Sequence, residues 1–279
     1  MTSVNAPLRN ETFDANRAVG RIKFAVSQAL GVTRRRRVHE AGSLRVRFPN
    51  QDLPGTLDAV IVNTAGGMTG GDRFDIDIEV AAGAALVVTT AAAEKIHRSL
   101  APNTEIAVRL EVGSGGMLAW LPQETIVFDQ VRLRRTIDVN LAADAHLLLA
   151  EAVIFGRSAM GESVTSGKLL DRWRVRRGGA LVFAETMRLD GAVAETLARR
   201  AVATGGVAVA SVLKIPGGED DVASIRAFNE NFRGEVGISV WNGHAAVRLV
   251  APSGETLRHD LMTVLRMLRS QPLPRLWLN

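Results

Sequence analysis

The alternation of apolar and polar residues predicts a chain built mainly from β-strands. Apolar side chains alternate with acidic ones over residues 74–80, and a similar alternation runs over 106–112. A period of two residues is typical of a strand with one buried face. We also predict strands at 58–63, 86–90, 126–133, 136–141, 146–153, 173–177 and 180–187. The short spacing and frequent glycines favour packed, largely antiparallel sheets over parallel strands linked by helices.

Two helices are predicted near the C-terminus. Asp220 or Asp221 is placed to cap the first helix, and Ser253 is placed to cap the second, whose apolar residues recur at helical spacing up to Leu268. Between them, Asn242-Gly243 separates two apolar runs, which is a strong signal for a β-hairpin. The predicted fold class is therefore mainly β, with two helices near the C-terminus.

The sequence predicts a single domain behind a loose tail. Residues 1–16 are polar and are assigned to the tail, and residues 17–279 are assigned to the domain. A change of composition at residues 215–218 divides that domain into a β-rich scaffold, 17–214, and a β/α part, 215–279. We see no signal peptide, and no run of about eighteen apolar residues that would cross a membrane. We therefore expect a cytoplasmic protein without membrane contact.

The composition limits the metal chemistry. The 279 residues include no cysteine, which excludes disulfides and thiolate metal sites and agrees with a reducing cytoplasm. The five histidines, at positions 39, 97, 146, 244 and 259, lack the spacing of paired metal ligands. We predict no tight metal site, while weak or transient coordination of a metal ion by scattered carboxylates and histidines stays open.

A formal charge of +5 raises nucleic-acid binding as an alternative function. The basic residues are spread along the chain, and only 5% of residues are aromatic. The chain therefore lacks the interleaved aromatic side chains that stack on bases. We expect no nucleic-acid partner.

A glycine-rich segment at residues 63–72, here called the glycine loop, contains two Gly-Gly pairs. Its glycines, which need positive φ angles or a close backbone approach, are Gly66, Gly67, Gly70 and Gly71. It lacks the lysine and Ser/Thr of a phosphate loop, and a strand pattern follows it instead of a helix. We favour a structural loop whose amides are satisfied by Asp72. A loop that shapes an interface or passage, and a nucleotide-binding enzyme that uses residues 65–72, remain alternatives.

Two other polar segments have both chemical and structural interpretations. Lys95 or His97 offers a base, but no nucleophile or paired carboxylate accompanies it, so an ion pair of Glu94 with Lys95 or a nearby arginine is favoured. Glu151 follows an apolar run and is expected to be partly buried, with Arg157 as its natural partner.

Five segments in register resemble the UreD family of urease accessory proteins, called UreH in some organisms. They are NTAGGMTGGD at 63–72, TTAAAEKIHRS at 89–99, LAWLPQETIVFD at 118–129, FGRSAMGE at 155–162 and LPRLWLN at 273–279. The resemblance implies a β-dominated, non-catalytic scaffold that binds apo-urease and UreF and, through UreF, the GTPase UreG. It also implies GTP-dependent nickel insertion, no tightly bound cofactor, and transient Ni²⁺ in an internal polar passage.

The resemblance also suggests residues for that passage. Matched by motif, the expected lining carboxylates are Asp72, Glu94, Glu151 and Glu185. Spaced carboxylates would attract Ni²⁺ and still release it. The expected wall or structural polar residues are Lys95, His97, Arg98, Gln123, Glu124, Arg157 and Glu162.

Overall fold

The computed structural model describes residues 17–49, 55–157 and 160–278, and the predicted tail at residues 1–16 lies outside them. The strands are β1 Val19–Ala29, β2 Val32–Gly42, β3 Leu44–Arg47, β4 Thr56–Asn63, β5 Arg73–Val80, β6 Ala85–Thr90, β7 Glu94–Ile96, β8 Thr104–Val112, β9 Met117–Trp120, β10 Thr125–Val127, β11 Val131–Leu141, β12 His146–Phe155, β13 Ser166–Arg177, β14 Ala180–Ala192, β15 Ala208–Ile215, β16 Glu235–Trp241 and β17 His244–Ala251. The helices are α1 Val193–Ala198, α2 Glu219–Ala227 and α3 Gly254–Leu268, with short 3₁₀ turns at Asn229–Asn231 and Arg275–Trp277.

The strands form two sheets that pack face to face. Sheet A has the order β14-β13-β11-β8-β5-β1-β2. Sheet B has the order β16-β17-β15-β12-β9-β6-β4-β3, with β7 and β10 attached beside β12. The predicted mainly β fold with two helices near the C-terminus is confirmed.

The strand direction differs from the prediction of largely antiparallel sheets. Among the described residues, nine of the fifteen strand pairings are parallel. The chain repeatedly crosses from one sheet to the other, so that β4, β5 and β6 lie in sheets B, A and B. A strand of the opposite sheet therefore provides the crossover that parallel neighbours need and that a helix usually supplies. Short spacing excludes a helical crossover, but it does not exclude this one.

The two-residue period places one face of each sheet in a shared core. In β5, for example, Phe74, Ile76 and Ile78 are buried between the sheets. A second apolar cluster lies on the opposite face of sheet B, where α3 packs on β15 and β17 and α2 packs on β16. Sheet B is thus covered on both sides, which explains the nearly continuous apolar run in β12.

The C-terminal elements mostly agree with the sequence. The Ser253 side chain caps α3 by accepting a hydrogen bond from the Thr256 amide at 3.1 Å, as predicted. The predicted hairpin forms, with positive φ at both Asn242 and Gly243. The cap of α2 is different, because Gly218 is the N-cap residue and the Asp221 carboxylate accepts its amide at 3.0 Å from inside the first turn.

Several predicted strand boundaries are wrong. The predicted strand 173–177, for example, begins at Ser166. The sequence predicts two strands, 126–133 and 136–141, with a break near residue 134, and the structure has no break there. The break comes earlier, at a turn around Gln130, which has a φ of 59°, and β11 then continues from Val131 to Leu141. The adjacent Arg134 and Arg135 obscure the alternation, although only Arg135 points inward. The short helix α1 was also not predicted.

Candidate functional site: a polar row between the sheets

Two adjoining cavities lie between the sheets. The larger has a volume of about 330 Å³ and is lined by Glu94 and Thr125 among other residues. The smaller has a volume of about 20 Å³ and is lined by Asp171 and Glu185 among others. Arg135 and Glu151 line both cavities, so these two side chains form the wall that separates them.

The wall between the cavities is a buried ion-pair cluster of Arg135, Glu151 and Asp171, here called the junction cluster. The Arg135 guanidinium donates to Glu151, to Asp171 at 2.5 Å and to the Thr125 hydroxyl at 3.2 Å. The three charged side chains are only 4–6% exposed. They come from neighbouring strands, since Arg135 on β11 is in register with Asp171 on β13, and Glu151 lies on β12 of the other sheet.

The junction cluster contains more carboxylates than cations. Burial, together with the negative charge of Asp171, raises the pKa of Glu151 to about 7, although Arg135 acts in the opposite direction. The Trp120 indole also donates to Glu151 at 2.8 Å. One guanidinium thus faces two carboxylates in a site closed to bulk water, and protonation of Glu151 relieves the excess negative charge.

Glu94 lies at the other side of the larger cavity. Its carboxylate accepts a hydrogen bond from the Asn63 amide group at 2.9 Å, and burial raises its pKa. The ion pair expected from the sequence is wrong, because Glu94 makes no salt bridge within the described part of the chain. Glu94 is in register with Thr125, the hydroxyl partner of Arg135.

Glu185 borders the smaller cavity on the far side of the junction cluster. Its carboxylate accepts hydrogen bonds from the Ser211 hydroxyl at 3.1 Å and from the Arg248 guanidinium at 2.5 Å. The Glu185 side chain is 18% exposed and that of Arg248 is 48% exposed, so the polar contacts reach the surface here. A polar row therefore crosses the protein between the sheets. Its members are Asn63, Glu94, Thr125, Arg135, Glu151, Asp171, Glu185, Ser211 and Arg248.

Asp72 lies apart from the polar row and lines neither cavity. Its carboxylate accepts the amides of Ala18 at 2.8 Å and Thr69 at 2.7 Å. This arrangement agrees with the structural loop that we favoured, in which Asp72 satisfies backbone amides. The strand β5 begins at Arg73, so no helix N-terminus is available for a phosphate group.

The glycines allow the backbone conformation and the close contacts of the glycine loop. Gly66, Gly67 and Gly71 have positive φ angles of 76°, 153° and 91°. A Cβ on Gly70 would lie 1.8 Å from the Ser99 hydroxyl, so only glycine fits there. The Met68 amide donates to the Lys95 carbonyl in β7, and the Met68 carbonyl accepts the amide of His97 just after β7, so the loop pairs with this strand.

Gln123 and Glu124 connect sheet B to the C-terminal segment. Arg258 on α3 donates to Gln123 at 2.7 Å and to Glu124 at 2.8 Å, and it also donates to the Trp277 carbonyl at 3.0 Å. Gln123 additionally lines the larger cavity. Two of the segments that carry the resemblance, 118–129 and 273–279, are therefore joined by this arginine.

The other expected wall residues lie around the glycine loop and Phe128. Lys95 is exposed and lines the larger cavity, and the Arg98 carbonyl accepts the Thr69 hydroxyl at 3.0 Å. His97 packs edge-on against the Phe128 ring at 4.7 Å between centroids. The other residues that contact this region are Arg157 and Glu162.

Arg157 is not the partner of Glu151, and that expectation is wrong. Its guanidinium donates to Glu162 at 2.5 Å and lies 4.2 Å from the centre of the Phe128 ring. Glu151 pairs instead with Arg135, sixteen residues earlier in the sequence. Arg135 and Glu151 meet because the chain crosses from β11 in sheet A to β12 in sheet B.

Arg135 and Asp171 are not among the site residues predicted from the sequence. The predicted strands left Arg135 in a break, and the predicted strand 173–177 began after Asp171. In the structure each lies at an inward position, with a buried apolar residue two positions away on either side. A charged residue within an apolar alternation was therefore the signal that identifies them.

The described residues contain no group of three or more His, Asp or Glu side chains arranged to hold a metal ion. Nor does any helix in the described ranges have the length and apolar character needed to cross a membrane. The carboxylates of the site are spaced along the two cavities, with Glu94 and Glu151 on the larger and Glu151, Asp171 and Glu185 on the smaller.

Comparison with known proteins assigns the family. A family model described as UreD urease accessory protein matches residues 18–278. A urease accessory protein UreD of Rhodopseudomonas palustris is 56% identical over 270 residues, which cover 97% of this chain and 96% of that protein. A UreD of Bradyrhizobium diazoefficiens is 53% identical over 267 residues, which cover 96% of each chain. The chain therefore belongs to the UreD family of urease accessory proteins.

Proposed function

We propose that this UreD-family protein is a non-catalytic, cytoplasmic scaffold and metallochaperone for urease maturation. In this proposal it binds apo-urease and UreF, and with UreG it supports GTP-dependent nickel insertion. The family membership and the names of the relatives support the urease part of the proposal. Ni²⁺ is the transient cargo of the protein and not a resident cofactor.

We further propose that the polar row is the route of the nickel ion. The observation that carries this proposal is that Arg135 and Glu151 line both cavities, which connects Glu94 on one side with Glu185 on the other. An unpaired cation is costly to bury in an apolar core. Carboxylate oxygens at intervals lower that cost, and because no three of them converge, the ion is not held permanently. Asp72, which lies outside both cavities, is not needed on this route.

The test is nickel loading of urease in cells that co-express the urease operon with variants of this chain. Glu94→Gln combined with Glu185→Gln removes one carboxylate at each side of the junction cluster and keeps the side-chain shapes. We expect urease purified with this variant to contain much less nickel, while the variant still co-purifies with UreF and apo-urease. Glu195→Gln, an exposed position on α1, is the matched control and should leave nickel content unchanged.

Two results would contradict the proposal in different ways. Normal nickel content with the double variant in an intact complex would remove the polar row from the route. Failure of the unmodified protein to co-purify with UreF or apo-urease would remove the scaffold role itself.

A further inference from the structure

Arg135 closes the junction between the two cavities. Its guanidinium is contacted by the Thr125 hydroxyl and by the carboxylates of Glu151 and Asp171, and the side chain is only 4% exposed. The smaller cavity beyond it holds about 20 Å³. In this conformation a cation that enters from the side of Glu94 meets a fixed positive charge.

The carboxylates around Arg135 keep unused bonding capacity. Asp171 Oδ1 is buried and accepts no hydrogen bond from any described residue, and Asp171 lines the smaller cavity. The Asp171 side chain is 6% exposed, so bulk water does not compensate for the missing partner. The Arg135 Nε also has no partner among the described residues. The cluster is thus incompletely satisfied on the side that faces the smaller cavity.

We propose that Arg135 is an internal counter-ion that a divalent cation displaces, and that Glu151 and Asp171 then form a transient binding site for the cation. This inference rests on the proposed nickel route and adds its gate. Whenever both buried carboxylates are ionised, positive charge between them is stabilising, because they repel each other in a medium of low polarity. The guanidinium provides that charge when the route is empty, and the metal ion provides it during passage.

The larger cavity has space for the displaced arginine. Its volume of about 330 Å³ lies beside the guanidinium, and the Glu94 carboxylate on its wall offers another acceptor. Return of Arg135 to Glu151 and Asp171 then expels the cation toward Glu185. Because Arg135 is displaced and then returns, the cation would occupy this site only during passage. This agrees with the absence of a three-ligand metal cluster in the described part of the chain.

The test compares Ni²⁺ binding by three forms of the full-length protein, measured by calorimetry and by the melting temperature with and without NiCl₂. Arg135→Met leaves both carboxylates without their counter-ion, and we expect it to bind Ni²⁺ at least about ten times more tightly than the unmodified protein. Its melting temperature should rise strongly with Ni²⁺, because a ligand that binds only the folded state stabilises it. The control, Arg135→Met with Glu151→Gln and Asp171→Asn, should show neither gain.

The melting measurement also tests the proposal if Arg135→Met does not fold without metal. Ni²⁺ should then restore a cooperative transition for Arg135→Met and leave the triple variant unaffected. Equal Ni²⁺ affinities and equal melting shifts in the single and triple variants would overturn the proposal. Because this measurement involves no urease, its failure would leave the nickel route standing, whereas failure of the loading experiment above would contradict the route itself.

Discussion

Asp72 and Glu151 are equally inaccessible, with 5% and 6% of their surface exposed, but their surroundings differ. The Asp72 carboxylate accepts two backbone amides and fixes the glycine loop in one conformation. Glu151 shares a single guanidinium with Asp171, whose second oxygen has no partner among the described residues. The Asp72 carboxylate, satisfied by the backbone, maintains structure, whereas Glu151 and Asp171 share the one cation that the proposed gate would exchange for a metal ion.

The largest effect on stability is expected at the junction cluster. Arg135→Met leaves two buried carboxylates without a cation and should lower the free energy of unfolding by about 3–5 kcal/mol. Urea denaturation measures this change. The neutral triple variant should recover most of the loss, because the buried charges disappear together. An unchanged denaturation midpoint in Arg135→Met would show that the charge of Arg135 does not stabilise the folded protein.

Asp72→Asn tests the other half of the comparison. Asp72 Oδ1 accepts the Ala18 amide and Oδ2 accepts the Thr69 amide. Asparagine keeps one of these acceptors and replaces the other with an NH₂ group that cannot accept, which should cost about 2–3 kcal/mol of stability. We expect nickel loading of urease to decrease only in proportion to the amount of folded protein. A loss of loading with a normal amount of folded complex would place Asp72 on the nickel route and contradict the distinction drawn here.

Within the glycine loop, two alanine substitutions form a matched pair. Gly70→Ala places a Cβ 1.8 Å from Ser99 Oγ and 2.5 Å from the Pro102 carbonyl oxygen, and should cost about 1–3 kcal/mol. Gly66→Ala meets no atom within 4 Å, so only its positive φ is unfavourable, at about 1 kcal/mol. Thermal unfolding of both variants measures the difference. If Gly66→Ala proved the more damaging, close packing of Gly70 would not be what fixes the loop.

The last expected effect concerns the pH dependence of stability. The pKa of Glu151 is raised from 4.5 to about 7 in the folded state, so the folded protein holds this proton more tightly than the unfolded chain. Its contribution is therefore fully present below pH 4.5 and is lost as the pH rises to about 7. Subtracting the stability curve of Glu151→Gln from that of the unmodified protein should isolate this decline. A difference curve that rises with pH over this range would contradict the raised pKa.

The sequence predicts the fold class better than the site because the two depend on different information. Alternation within a strand, as in β5, is local and identifies the buried face directly. Parallel pairing depends on which sheet each strand enters, and no local pattern specifies that. For this reason Glu151 was assigned to the nearby Arg157, whereas the crossing between sheets brings it to Arg135.

The glycine loop shows how far local chemistry can be predicted. Its positive φ angles and the hydrogen bond from the Thr69 amide to Asp72 follow from residue types within ten positions, whereas the Ala18 amide comes from 54 residues earlier. The junction cluster depends on three strands and two sheets, so its partners were not evident, although a charged residue in an apolar alternation marks both Arg135 and Asp171.

The most direct test of the nickel route is to fill the smaller cavity without changing any charge. Val209→Phe adds apolar bulk beside Glu185 and Ser211 in the wall of that cavity, and Val202→Phe, at an exposed position, is the control. The measurement is nickel per urease after co-expression with the whole operon. We expect Val209→Phe to assemble with its partners and to leave urease largely free of nickel, while Val202→Phe loads it normally. Full nickel loading by Val209→Phe in an intact complex would contradict passage of the ion between the two sheets.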